Sequence, residues 1–539
     1  MKSIFNIQLF SNSSVLKTCL QFILFSTVAI AFISHAEDKK PVASTNTDSL
    51  CPPFGWSENL KNFLLPNAQI PTQAPAVDCD FHEWSWETFI WATALDTNGV
   101  PRFLSLPTPA DLIANASAPA SKINNKKGTP KLHLASRLHN DAGSLEGTGA
   151  IVEADGNMLV APNGYPVYAS VHMNESYFTT AKNNLIYNGG YQKNTTDYFP
   201  VGSAVFKATW LRLANGQQAP VGAYTTNAEV PVLTIENNIV VPQKDSNGAI
   251  KTVTVKVALV GLHVVGITQD HPEFLWATFE HKHNAPMIPD NTFSPSGSDS
   301  NNYTFYKANT PFSQVNIANV PPNPATTQTP VLSFNVNTQQ FTPSTNAVQK
   351  NKTGGENFSA QGPQNIANLN ASSQTFLNGQ SKAQATFANY NLIGTLWMHS
   401  NTYIDSNPNI NKLDQTDGVG SVNLANITAE TFEQAATNSS VKDVNNCFLC
   451  HNTQSYIFGE KNPLQARRIA ISHVLGENSP AYEVPNELPL CWNVSAGPIW
   501  NNGDAQTKCP TACGSGSKWN GQWVTTQTGI ESVCGCCTN

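Results

Sequence analysis

The chain has little charge, and it lacks the signatures of several common enzyme classes. Charged side chains make up 12% of its 539 residues, which is roughly half of the usual fraction of about 25%. The formal net charge is −7, so no basic surface of the kind that nucleic acid requires is expected. The sequence has no phosphate-binding glycine loop, no G-x-S-x-G elbow and no H-E-x-x-H helix. These absences argue against a nucleotide-binding protein, a serine esterase or a zincin.

Long hydrophobic runs are also lacking, with one short exception near the start. Two lysines precede the apolar run from Leu20 to Ile33, which ends in Ser34-His35-Ala36. The run is too short for a comfortable membrane span, and its small flanking residues predict a signal peptide, 1–36, cleaved near Ala36. Cys19 lies before the run and therefore cannot be the lipidated cysteine of a lipoprotein. We expect an exported protein, periplasmic or extracellular, with no membrane span in the mature chain; the alternative is an uncleaved anchor.

Cysteine is absent from residues 80–446 and concentrated at the C-terminus. The large middle region must fold without disulfides, whereas the last 49 residues carry six cysteines. Disulfides suit an exported protein, and Cys51 and Cys79 are expected to pair. If the remaining eight also pair, five disulfides form; if two serve another purpose, four form. The ten cysteines after residue 36 are Cys51, Cys79, Cys447, Cys450, Cys491, Cys509, Cys513, Cys534, Cys536 and Cys537.

Cys447-Phe448-Leu449-Cys450-His451 has the C-x-x-C-H pattern of covalent haem attachment. Two thioether bonds would fix one haem c, and His451 would supply an axial nitrogen to the iron. The alternative is an ordinary disulfide followed by a histidine. A short helical unit of this kind resembles exported monohaem c-type cytochrome proteins with one such motif near the end.

The second axial ligand decides what haem chemistry would follow. His473, which lies in the last turn of an expected helix, is the first candidate for this ligand. The predicted metal ligands are therefore His451 and His473. Met398 and His399 follow an apolar stretch and are the next candidates. If none of these binds the iron, the position is filled by an upstream histidine or left open. A methionine raises the reduction potential, and an open position permits small-molecule chemistry.

The C-terminal segment carries three separated blocks of sequence: AGPIWNNGDAQ at 496–506, WNGQW at 519–523 and SVC at 532–534. A fragment of this size has too small a core to fold alone, and disulfides are the usual remedy. The blocks resemble, in order and spacing, the repeat of the mannan-binding lectin family. The resemblance covers residues 490–537, and it implies a small disulfide-rich α+β module that binds a mannose-containing glycan.

Physical reasoning also favours a sugar site in this segment. Exposed tryptophan faces offer apolar surface to pyranose C–H groups, and Asn, Asp and Gln side chains can pair with hydroxyls. The alternative is that both tryptophans form the core of the module. One repeat is present here, whereas the founding family member has two. The resemblance implies as carbohydrate-binding residues Trp500, Asn501, Asn502, Asp504, Gln522 and Trp523.

The rest of the chain predicts a multidomain, mostly β protein with appended helices. Asp80 opens a helix with Phe81, Trp84, Thr88, Trp91 and Leu95 on its buried face. Alternation from Val253 to Leu259 predicts a strand, and residues 230–241 predict a hairpin. The architecture is β-sandwich-like or an antiparallel sheet. Helices are expected at 427–436, capped by Asn426, and from Asn462 to Gly476.

Four histidines, His263, His271, His281 and His283, cluster in sequence within this β region. The His281-x-His283 spacing on a strand would place both imidazoles on one face, as a copper or zinc site could use. Glu273 and Glu280 are the nearest carboxylates. The alternatives are that these histidines are polar residues at strand ends, or that one is a distal haem ligand.

Together these patterns predict an exported haem protein, with electron transfer or haem redox chemistry directed to mannose-containing glycans. Partners would be the glycan and a redox partner protein, and any enzyme activity would be that of a haem-dependent oxidoreductase. The rival is a non-enzymatic mannan-binding adhesin or defence lectin in which Cys447 and Cys450 form a disulfide. The predicted parts are the signal peptide 1–36, a mainly β domain 37–284, a Pro/Asn/Ser/Thr-rich connection or excursion 285–380, a helical c-type haem segment 381–480 that packs on the β domain, and a lectin-like module 488–539.

Overall fold

The computed structural model describes residues 79–108, 111, 132–133, 158–186, 199–236, 239–269, 271–288, 294–317, 332–350, 362–398, 418–432, 434, 447–451, 456–458, 462–464, 491–515, 517–527 and 530–538. The helices are α1 (Cys79–Thr93), α2 (Glu175–Ile186), α3 (Gly362–Asn378), α4 (Cys447–Cys450) and α5 (Asn502–Cys513). The strands are β1 (Leu132–His133), β2 (Val167–Met173), β3 (Ala204–Arg212), β4 (Thr225–Pro231), β5 (Leu233–Glu236), β6 (Ile239–Pro242), β7 (Thr252–Thr268), β8 (His271–His281), β9 (Ser333–Asn335), β10 (Gln340–Thr342), β11 (Tyr390–Met398), β12 (Gly418–Gly420), β13 (Tyr456–Phe458), β14 (Asn462–Leu464), β15 (Cys491–Gly497), β16 (Ser517–Gln527) and β17 (Glu531–Thr538).

An eight-stranded sheet organises the large region of the chain. Its main path runs β1-β4-β7-β8-β11-β12, and β3 joins β7 to β2. The 17-residue β7 is long enough to pair with β4 through its first half and with β3 through its second half. All of these pairs are antiparallel except β1 with β4. The predicted mostly β composition is confirmed, and of the two architectures considered, the structure has the antiparallel sheet with appended helices.

Both faces of this sheet are covered. Successive side chains of a strand point to opposite faces, and along the central strands both sets are buried. Phe206 and Val264 belong to one apolar cluster, whereas their neighbours Val205 and Val265 belong to another. The first cluster includes side chains from α1 and α3, and the second includes side chains from α2 and α4. The sheet is therefore a middle layer with helices on each side. The hairpin predicted near residue 237 is confirmed as β5 and β6.

Helix α1 confirms the helix predicted from the aromatic repeat, but it is buried more completely than one face. Trp86 and Phe89, which lie off the predicted face, have no exposed surface. The indole N–H of Trp86 donates to Asn370 of α3 at 3.0 Å. Helix α1 thus packs between the sheet and α3, which explains its apolar residues on several sides. Cys79 is disulfide-bonded, and its predicted partner Cys51 lies outside the described residues.

Several predictions for residues 285–480 are wrong in detail. Residues 362–378, assigned to a connection, form α3, whose Ile366 and Leu369 are buried in the sheet core. Of the helix expected at 427–436, the described residues 427–432 form turns; the Asn426 side chain accepts the Thr428 amide at 2.8 Å, as a cap would, and Glu280 accepts the amide of Ile427. Asn462 begins strand β14 and does not cap a helix. A helical haem segment as long as the predicted one is not seen in the described part of 381–480, where α4 has only four residues.

The C-terminal module is a separate three-stranded antiparallel sheet in the order β15-β17-β16, with α5 packed on it. The predicted small, disulfide-rich α+β module is thus seen. Among the described residues of the whole chain, no helix is both long and apolar enough to cross a membrane.

Candidate functional site

Two disulfides fix the helix of the module to its central strand. Cys509 is bonded to Cys534, and Cys513 is bonded to Cys536. Four residues of helix rise about 6 Å, and two residues of strand advance about 6.6 Å. The i, i+4 cysteines of α5 therefore match the i, i+2 cysteines on one face of β17, and all four sulfur-bearing residues are buried.

The two residues before α5 and the first turn of this helix hold four of the predicted sugar-binding residues. Trp500 is 58% exposed, as a stacking platform for a sugar ring requires. Asn501 caps α5, because its side chain accepts the Asp504 amide at 2.9 Å. Asp504 in turn accepts the Trp500 amide at 3.2 Å and pairs with Lys508 at 3.2 Å. These bonds use Asn501 Oδ1 and Asp504 Oδ2, so both residues also have a structural role.

Trp523 and Trp519 contribute to the packing of the module. Both are partly buried against the disulfide cluster. Trp519 lies opposite Cys536, and Trp523 lies opposite Cys534. Strand β16 therefore has two extra residues, a bulge, between these two pairs. This bulge contains Gln522, and bulges of this kind redirect side chains at strand edges and near sites. The expectation that the tryptophans form the core thus fits Trp523 better than Trp500.

The C-x-x-C-H motif lies on the large sheet. The motif forms the single helical turn α4, in which the His451 amide donates to the Cys447 carbonyl at 2.8 Å. Phe448 is fully buried in the apolar cluster that includes Met398 and Phe274. The His451 ring lies 4.3 Å from the Trp276 ring, centroid to centroid, with a tilt of 34°. The buried side chain of Phe448 and the ring contact of His451 both attach the motif to the β domain.

This arrangement fits a covalently attached haem. Cys447 and Cys450 are three residues apart in the turn, the spacing at which residues share one side of a helix. Coordination of iron uses a lone pair in the plane of the imidazole, whereas the Trp276 stack uses the ring face. The two interactions are therefore compatible. Met398 is buried in the same apolar cluster as Phe448; His399 and His473 lie outside the described residues, and the second axial ligand stays a prediction.

The four upstream histidines are engaged in separate contacts. His271 Nδ1 lies 2.6 Å from Glu273, and His263 lies 3.1 Å from Glu430. His281 is buried and contacts the Val221 carbonyl at 3.2 Å, and burial lowers its pKa to about 4. Its ring is 5.7 Å from that of the exposed His283. In the part of the chain that the structure describes, no group of three or more His, Cys, Asp or Glu residues is placed to hold a metal ion.

Sequence reasoning missed a polar network beneath the segment that leads to the motif. Asn426 donates to Thr278 Oγ1 at 2.7 Å, and Thr428 is 2.6 Å from Thr209. Burial raises the pKa of Glu280 to about 8. Burial also acts to raise the pKa of Glu430, but the charge and hydrogen bond of His263 hold it below its ordinary value. Polar residues scattered over about 220 positions give no periodic signal, so only the fold reveals this network.

The geometry first defines a class: the C-terminal module is a small disulfide-bonded α+β domain in which the exposed Trp500 lies beside a helix N-terminus. Comparison with known families then gives a specific match, since the model of the mannan-binding protein family matches residues 502–536. That range covers α5, β16 and most of β17. Searches of curated proteins and of solved structures gave no match for the chain.

Proposed function

We propose that the chain is an exported protein whose C-terminal module binds mannose-containing glycans. The family match at residues 502–536 carries this proposal. It is supported by the exposed ring of Trp500, because an indole face open to solvent can stack on the C–H groups of a sugar ring. Signal-peptide features in residues 1–36 support export.

The proposed glycan site centres on Trp500 and the start of α5. The indole face would cover the C–H groups of one pyranose ring. Asn501 Nδ2 and Asp504 Oδ1, the polar atoms not used in the cap and its companion bond, would pair with hydroxyls. Asn502, Gln522 and Trp523 complete the proposed set, with Trp523 acting from a partly buried position.

Binding of an oligomannose glycan to the full chain, measured by calorimetry, tests this proposal. Trp500→Ala should abolish binding without changing the melting temperature, because the side chain is largely exposed. Ile530→Ala is the matched control: Ile530 is 60% exposed in the same module and lies outside the proposed site. Loss of binding in both variants, or in neither, would contradict the assignment.

A second function, covalent haem binding at Cys447, Cys450 and His451, is favoured by the way the motif docks. A helical C-x-x-C-H turn anchored by Phe448 and stacked on Trp276 has its histidine ring held in place before any cofactor arrives. A haem bound there would supply one-electron redox chemistry. The chain would then be a monohaem c-type protein that exchanges electrons with a redox partner, or a haem-dependent oxidoreductase, held near a glycan surface by its module.

A pyridine haemochrome spectrum of protein exported from a host with intact cytochrome c maturation tests the haem proposal. A c-type α band that survives acid-acetone extraction is expected, and Cys450→Ala should alter the band and the attachment. Absence of haem in the wild-type chain would favour the rival function. In that case the protein is a non-enzymatic mannan-binding adhesin or defence lectin with a Cys447–Cys450 disulfide.

A further inference from the structure

The contact between Trp276 and His451 joins two parts of the chain that are 175 residues apart. Trp276 lies in β8, the strand between β7 and β11, opposite Val265 on one side and Leu396 on the other. Both neighbours belong to the apolar cluster that buries Phe448. The indole is therefore carried by a strand that is paired on both sides.

A backbone irregularity places Trp276 on the face that carries the motif. His271 pairs with Thr268 of β7, and Leu275 pairs with Gly266. Strand β8 therefore has two extra residues, a bulge, between these two pairs. Phe274 lies within this bulge with φ at +73°, a conformation that bulky residues rarely adopt. After it the alternation restarts, with Phe274 and Trp276 on the motif side and Leu275 and Ala277 on the other. A register slip by one residue would turn Trp276 to the opposite face.

The polar edge of Trp276 also points to a role beyond packing. Its Nε1 is buried, and in the described part of the structure it has no hydrogen-bond partner. A buried indole N–H normally finds an acceptor, so the ring position is set by something other than its own hydrogen bond. The imidazole of His451 lies beside the indole, with the ring centroids 4.3 Å apart and the ring planes tilted by 34°.

From this geometry we infer that Trp276 is a positioning residue for His451 as a haem ligand; the inference rests on the proposed haem function. The ring contact restricts rotation of the imidazole about its Cβ–Cγ bond, so the β domain takes part in setting the ring plane. The indole also excludes water from that side of the ligand. The haem site would then belong to both parts of the chain: the motif supplies the covalent bonds, and the sheet sets the ligand orientation.

The first experiment tests the stack without a cofactor. In the full chain with Cys447→Ala and Cys450→Ala, histidines are ¹³C-labelled and the His451 ring signal is assigned by His451→Gln. A ring stacked on an indole should show an upfield-shifted proton signal. This shift should be lost in Trp276→Leu and largely kept in Trp276→Phe. Trp91→Leu, a partly buried tryptophan of α1 on the other side of the sheet, should leave it unchanged. If the chemical shift of the His451 ring proton is unchanged in Trp276→Leu, the inference is wrong.

The second experiment uses the chain with haem attached. Removing the indole admits water, and water stabilises the more highly charged ferric iron, so the reduction midpoint should fall in Trp276→Leu. Trp276→Phe should restore it, and equal haem content in the variants shows that attachment is intact. A wild-type chain without haem would contradict both the haem proposal and this inference. If haem is attached and the reduction midpoint potential is the same in the wild type and in Trp276→Leu, only this inference is contradicted.

Discussion

Asn501 Oδ1 accepts the backbone N–H of Asp504 at 2.9 Å, so two residues predicted to bind sugar also hold the first turn of α5. The cap matters because the disulfides constrain only the second half of this helix, through Cys509 and Cys513. The first half lies beside the exposed Trp500 and depends on its cap. Helix stability and the proposed glycan recognition would therefore be coupled at one asparagine.

Asn501→Ala is expected to destabilise the first turn of α5 by about 1 kcal/mol, the usual cost of losing an N-cap. Hydrogen exchange of the Asp504 amide should accelerate accordingly. Asn501→Ser keeps a capping oxygen and should exchange nearly as the wild type does. Because serine lacks the amide nitrogen proposed to contact sugar, the same variant should bind oligomannose more weakly. Wild-type affinity in Asn501→Ser would mean that Asn501 only caps the helix.

The double variant Cys513→Ala/Cys536→Ala should lower the free energy of unfolding of the module. The bond joins residues 23 apart in sequence, and closing a loop of that size restricts the unfolded chain by about 3 kcal/mol. Scanning calorimetry of the full chain should show the module transition at a lower temperature while the transition of the β domain stays in place. Ile530→Ala, an exposed change in the same module, is the control. If the β-domain transition moved as well, the two parts would not unfold independently.

Gly261→Ala should destabilise the sheet where the segment around Asn426 crosses it. A Cβ there would lie 2.5 Å from both Thr209 Oγ1 and Thr428 Oγ1, closer than packed atoms tolerate. The expected cost is about 1–3 kcal/mol, typical of overpacking, seen as a lower urea midpoint. Thr428→Ala removes one of the two oxygens, so its effect and that of Gly261→Ala should not add in the double variant. Additive costs would show that the crowding lies elsewhere.

Short-range sequence patterns correctly predict the elements whose structure depends on neighbouring residues. The aromatic repeat of α1, the alternation of β7 and the β5–β6 hairpin are all predicted and present. The segment after Asn426 is predicted as a helix, and its described residues form turns; the Asn426 side chain accepts the Thr428 amide as a cap would, but the Ile427 amide donates to Glu280, 147 residues away. In sequence, a capping residue followed by a tertiary partner cannot be distinguished from a helix start.

The candidate sites divide in the same way. The family-like blocks of the C-terminal module identify the region that matches the mannan-binding protein family. They do not show that Asn501 and Asp504 are bonded to one another, because caps depend on backbone geometry. The C-x-x-C-H motif is visible in the sequence, whereas the contact of Trp276 is not. Its position depends on a bulge that no period reveals.

Glu280 should make the free energy of unfolding fall as pH rises. Burial raises its pKa from 4.5 to about 8, so the folded state keeps the proton over a range in which the unfolded state has lost it. The stabilisation is complete below pH 4.5 and is lost progressively until pH 8. The slope is at most about 1.4 kcal/mol per pH unit. Urea unfolding between about pH 5 and 9 measures it.

Glu280→Gln should flatten this profile, since glutamine keeps an acceptor for the Ile427 amide, which donates at 2.9 Å, and carries no titrating proton. Glu430→Gln should act in the opposite sense. The pKa of Glu430 is lowered by His263, so its contribution is present above its unfolded pKa and is lost as pH falls. That variant should therefore be less stable than the wild type at neutral pH. Glu236→Gln, an exposed glutamate of the hairpin, is the matched control. A wild-type profile in Glu280→Gln would place the alkaline sensitivity on another group.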